Sequence, residues 1–199
     1  TNNIFENSGV NAELIIEVYE EVGSSNGAPL TGQNSQLDML MEALPPFESA
    51  QGIYNDDQTD VLFVLGAQGD GEEYCGEANS YLPMLDTNSL NARANARSYK
   101  ANFFSGGIVC NTSIVAHEFG HIAGLGHSKN QSSSGQRSFS VGHGIENSFV
   151  TIMPYQSSYG NAPEVQLFSN PQLSQCGDSL PCGLDKTNLF TGADAVYTL

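Results

Sequence analysis

Positive charge is what this sequence has least of: 6 Lys+Arg stand against 22 Asp+Glu in 199 residues, a formal net charge of −16. Such a chain repels polyanions, so nucleic acid and anionic membrane surfaces are excluded as partners. No stretch approaches the ~18 uninterrupted apolar residues that mark a transmembrane helix, so no membrane insertion is expected. No basic-then-apolar leader precedes Thr1, and an exported protein would already have lost one. Cysteines are few and even in number, Cys75, Cys110, Cys176 and Cys182, with no C-x-x-C pair among them. That usage argues against a thiol metal site and for two disulfides formed in an oxidising, extracellular compartment. Local order along the chain pairs Cys75 with Cys110 and Cys176 with Cys182.

What is present fits one domain with a buried core: 39% hydrophobic residues, with 21 glycines and 8 prolines spread through the chain. Val10–Val22 and Asp60–Gly66 are rich in branched apolar residues and read as strands of a covered sheet. Gln36–Leu44 carries apolar residues near helical spacing before Pro45 and Pro46 end it. Cys75–Leu82 and Ser98–Phe104 could each supply a further strand. Asn111–Gly124 is the clearest helix, with Asn111 or Thr112 as N-cap and Gly124 as its stop. Beyond Gly126 periodicity fades, and that part should fold through turns, disulfides and ligands. The fold class is therefore α/β.

Ala116–Ser128 reads A-H-E-F-G-H-I-A-G-L-G-H-S and contains H-E-x-x-H-x-x-G-x-x-H. On a helix His117 and His121 project from one face about one turn apart, the spacing two imidazoles need to share one zinc ion. Gly124 can adopt the left-handed conformation that turns the chain so that His127 reaches the same ion. Three neutral imidazoles leave a fourth position for water, the arrangement of a catalytic zinc site. Glu118 lies ~100° around the helix from His117, placed to act as general base without displacing a ligand. Val115, Phe119 and Ile122 are spaced to seat the helix on the core. A bare H-E-x-x-H occurs by accident, but all five specified residues falling in register has a probability on the order of 10⁻⁵.

This long motif, followed 26 residues after His127 by the methionine of Thr151-Ile152-Met153-Pro154-Tyr155, resembles the signature of the metzincin zinc peptidases. The resemblance implies that Met153 packs as an apolar base under the three imidazoles. It also implies that Tyr155, at a position where astacin-like and serralysin-like members carry a tyrosine, can approach zinc and stabilise an oxyanion. Ser128 is matrixin-like. Cys75-Gly76, Cys110 and Phe168-Ser169-Asn170-Pro171 look more like bacterial reprolysin-like (adamalysin-like) members, and these matches are spread over more of the chain. In that group Thr1–Val10 resembles the end of a first helix and Ala193–Leu199 the beginning of a closing one.

The resemblance implies a single zinc metallopeptidase catalytic domain over 1–199, with an upper lobe of about 1–126 and a lower lobe of about 127–199. The fold would be metzincin-like: a twisted mixed sheet, an active-site helix and an irregular C-terminal lobe. The expected activity is that of a secreted zinc endopeptidase acting on protein or peptide substrates as a monomer. A propeptide or an inhibitor is a further candidate partner. The rival class is a non-catalytic binding module on the same scaffold, which could lose Glu118 without penalty. A thiol enzyme built on Cys110 is a weaker rival, because the cysteine count is even and three of the four histidines are committed to metal. His143 reads as a loop residue. Asp56-Asp57 and Asp70-Gly71-Glu72-Glu73 could hold a structural Ca2+, but without EF-hand spacing a solvated acidic loop is the ordinary reading.

Overall fold

The sequence opens with Asn2–Ser8 as helix α1, which Gly9 ends in the left-handed conformation at φ 81°. The amide N–H groups of Gly9 and Val10 return to the carbonyls of Glu6 and Phe5, closing the orphan carbonyls of the last turn. This matches the expected helix end at Thr1–Val10. In the computed structural model, residues 1–16, 19, 39–40, 42–49, 52, 61–67, 75–78, 93–98 and 111–199 are described. Among them the architecture is mixed α/β, with two α-helices and three small sheets.

Contacts divide the chain into two units, one containing Thr1–Leu14 and Ala123–Leu199, the other Ile15–Leu82 and Asp86–Ile122. The second unit holds a three-stranded sheet of β1 (Leu62–Ala67), β2 (Gly76–Ala78) and β3 (Arg93–Ser98), in the order β1-β3-β2. β3 runs parallel to β1, with Leu62 opposite Arg93, and antiparallel to β2, with Gly76 opposite Ala96. Helix α2 (Ile114–Ile122) lies against β3 and β2. Leu40 and Phe47 form a small core with Met39, Leu62 and Val64.

Two sequence expectations are adjusted here. Met39 and Leu40 are helical as expected, and a turn through Ala43 precedes the cis Pro45–Pro46 bond. No strand forms over 10–16, where Ile15 and Ile16 are 69% and 83% exposed. One reason is local: the Asn2 side chain accepts from the Leu14 N–H and donates to its carbonyl, taking the groups a ladder would use. β3 ends at Ser98, where the expected strand Ser98–Phe104 begins; residues 99–104 lie outside the described residues, as does most of 17–22.

The first unit is held by short pieces. β4 (Gly126–Ser128) pairs in parallel with β5 (Val141–Gly142), while β6 (Gly144–Ile145) and β7 (Phe149–Val150) form an antiparallel pair. After Gln131 no regular element exceeds the four-residue 3-10 turn Gln156–Tyr159. Burial supplies the cohesion. Phe149, Leu167, Cys176 and Cys182 form one cluster, and each fully buried large side chain contributes about 1.5–3 kcal/mol.

The F-S-N-P segment has a structural reading of its own. Phe168 packs on Phe5 of α1 with ring centroids 5.9 Å apart. Its N–H donates to Ser8 Oγ at 2.8 Å, and Asn170 Nδ2 donates to the Ser8 carbonyl at 2.8 Å. Ser169 Oγ donates to the Val141 carbonyl and accepts from the Ala195 N–H, tying β5 to the C-terminal turn. Ala193–Leu199 forms turns rather than a regular helix.

Cys176 and Cys182 are bonded, and no described cysteine is free. Cys75 is also disulfide-bonded; its expected partner, Cys110, lies outside the described residues. Replacing both Cys176 and Cys182 by Ala should lower unfolding free energy by ~2 kcal/mol, the loop-closure value for so short a ring. Chemical denaturation of the oxidised proteins checks this, and unchanged stability would contradict it.

Candidate metal centre

Helix α2 begins where the Asn111 side chain accepts from the Ser113 N–H and the Asn111 carbonyl accepts from that of Ile114. Its covered residues are Ala116, Glu118, Gly120 and Ile122. Of the expected core-facing trio only Ile122 is fully buried; Val115 and Phe119 are half-buried. The small Ala116 and Gly120 are buried along with Ile122. His117 and His121 are four residues apart, and their Nε2 atoms stand 3.1 Å from each other with the rings edge to face. Two nitrogens bound tetrahedrally to one zinc at ~2.0–2.1 Å stand about 3.3–3.4 Å apart, so this pair is already near ligand spacing.

Gly124 follows at φ 87°, as expected of a residue that must stop the helix. The turn leads into β4, which carries His127. One ring nitrogen from each of His117, His121 and His127 lies within 4.8 Å of the others. The pairing of β4 with β5 explains how His127 is presented. Gly126 faces Val141 and Ser128 faces Gly142, so two residues of β4 advance against one of β5 and His127 is the extra residue of a bulge. Its N–H, released from the ladder, donates to Ser133 Oγ at 2.9 Å.

Glu118 is 2% exposed, and its Oε2 has no hydrogen-bond partner. Burial, and secondarily the charge of Glu77, push its pKa up to about 8. An unpartnered buried carboxylate oxygen on the helix turn between two histidines fits a centre completed by a cation and water. Its position depends on a glycine. A methyl group on Gly76 of β2 would stand 2.5 Å from Glu118 Oε1 and 2.8 Å from Cγ and Cδ. Gly76→Ala is therefore expected to displace the carboxylate and, on the general-base expectation for Glu118, to lower kcat by ~10–10²-fold while leaving metal content intact, the scale of loss that a misplacement of about 1 Å carries. Steady-state kinetics beside metal analysis would decide it; an unchanged kcat would show that the carboxylate has room to spare.

Met153 is fully buried, and a side chain on Gly142 would collide with Met153 and Pro154. Met153 and Pro154 thus lie close against Gly142 of β5, the strand paired with β4. Tyr155 is 48% exposed, with its ring 4.4 Å from that of His127 at 46°. His143, the fourth histidine, stands edge-on to Phe149 at 5.6 Å, and burial lowers its pKa. It takes no part in the triad. The candidate calcium ligands at 56–57 and 70–73 lie outside the described residues. Sequence reasoning missed the contact of Gly76 with Glu118, for which a glycine in a strand, a mark of close approach, was the available signal. It also missed the hydroxyl of Ser133 and the amide of Gln131.

Among the described residues no helix is long and apolar enough to cross a membrane. None of the solved structures matches the chain. A peptidyl-Asp metalloendopeptidase of Pseudomonas aeruginosa is 30% identical over 211 residues, an alignment covering 100% of this chain and 33% of the relative. The chain thus spans about a third of that relative's length. The model of the reprolysin-like M12B metallopeptidases matches residues 1–187, and the histidine cluster falls within that match. The chain belongs to the reprolysin-like M12B family of metallopeptidases.

Proposed function

We propose that this protein is a secreted zinc-dependent endopeptidase that hydrolyses peptide bonds in protein or peptide substrates. The observation that carries the reading is the convergence of three imidazole nitrogens within 4.8 Å, two of them on the same helix as a buried carboxylate with one unpartnered oxygen. His117, His121 and His127 would hold one zinc ion, whose chemistry is to acidify a bound water toward pKa ~7 and to polarise the scissile carbonyl. Glu118 accepts the proton of the attacking water and returns it to the leaving amine. Burial raises the pKa of this carboxyl, so it holds a proton more readily than an exposed glutamate. The Tyr155 phenol, beside His127, donates a hydrogen bond to the oxyanion, and Met153 supports the triad from below.

The metzincin reading also supplies the finer architecture: one catalytic domain over 1–199 with lobes of about 1–126 and 127–199. Disulfides support export. The named relative acts at peptidyl-Asp; the aspartate preference is a first hypothesis to test here, although a chain of net charge −16 offers few cations to an acidic side chain. Purified protein is expected to bind about one zinc per chain and to cleave members of a peptide library, with chelation abolishing cleavage and zinc restoring it. Protein without stoichiometric zinc, or with zinc but no cleavage of any library member, would overturn the reading. The second outcome would favour a non-catalytic binding module.

A further inference from the structure

Gln131 ends the 3-10 turn Lys129–Gln131, and Ser132 beyond it adopts the left-handed conformation at φ 53°. Its amide oxygen receives two hydrogen bonds. Ser128 Oγ donates at 2.8 Å, and the backbone N–H of Tyr155 donates at 3.1 Å. The orientation of the amide is fixed by chemistry, because a backbone N–H can only donate and so must face the carbonyl oxygen. Ser128 is fully buried and directly follows His127; Tyr155 places its ring against the His127 imidazole. One acceptor therefore joins the strand residue beside the third histidine to the residue whose aromatic ring covers it. Ser133 completes the arrangement by taking the His127 N–H and donating its own N–H to the Ser128 carbonyl.

We infer that Gln131 is a positioning residue for the His127–Tyr155 pair, fixing the third imidazole and the phenol relative to each other. His127 lies at the bulge of β4, between the registered residues Gly126 and Ser128. Tyr155 is half-exposed and precedes the 3-10 turn Gln156–Tyr159, its carbonyl accepting from the Ser158 N–H. Outer groups of this kind characteristically change metal affinity or activity by about 10–100-fold.

The inference rests on the proposed zinc site and is tested with zinc as the probe. Zinc affinity, measured by competition with a chromogenic chelator, and kcat are compared for the wild type, Gln131→Met and Gln131→Glu. Methionine keeps length and volume but accepts no such bonds; glutamate keeps the acceptor. Gln131→Met is expected to lose about tenfold or more in zinc affinity and in kcat, and Gln131→Glu to recover most of both. Should Gln131→Met not fold, Ser128→Ala, which removes one donor from the same oxygen, is expected to show a smaller loss in the same two quantities. Wild type that binds no zinc overturns the metal reading itself. Wild type that binds zinc while Gln131→Met, or Ser128→Ala in its place, equals it in both measurements overturns the role of Gln131 alone. Glutamate as impaired as methionine does the same.

Discussion

Glu118→Gln is expected to lower peptide-bond cleavage by about 10²–10⁴-fold, the range associated with losing a general acid/base, while leaving zinc content unchanged. An amide of the same shape cannot take the proton of the attacking water. It also removes a carboxylate that is 2% exposed and has one oxygen without a partner, so the fold has little to lose. The result should appear in kcat rather than in KM, since the role proposed for the side chain is proton transfer and not substrate binding. Cleavage by Glu118→Gln at the wild-type rate would falsify the assigned mechanism.

His121→Ala should behave in the opposite way, losing stoichiometric zinc and with it all measurable cleavage. Its Nε2 stands 3.1 Å from that of His117, and removing one of three nitrogens leaves too few donors to hold the ion. A ligand at a thousandfold excess over its Kd stabilises a folded protein by about 4 kcal/mol, so added zinc should raise the wild-type melting temperature and leave His121→Ala unmoved. Glu118→Gln should retain the wild-type shift. Equal zinc-induced shifts in wild type and His121→Ala would mean the ion binds elsewhere.

The site was legible where its geometry is local. His117, Glu118 and His121 share two turns of helix, and Gly124 marks the reversal toward His127, so spacing alone conveys their relation. The same holds for Cys176 and Cys182, six residues apart. Contacts made across the sequence left no such trace. β3 reads R-A-N-A-R-S, alternating polar with small residues and showing no apolar face; its two neighbours make it a strand. The branched run at Val10–Ile16 pointed the other way, because composition cannot report that Asn2 captures the backbone of Leu14. Gly76 and Gln131 are ordinary letters until Glu118 and Tyr155 are placed beside them.

The bonds from Ser8 to Phe168 and Asn170 span 160 and 162 residues. Closing so long a loop costs about 4.5 kcal/mol of chain entropy. A helix of seven residues is not stable alone. At a synthesis rate of roughly 5–20 residues per second, α1 waits about 10–30 s for its partner segment to be made at all. Helix α1 is thus among the last parts of its unit to settle, and its docking reports completion of the unit it joins.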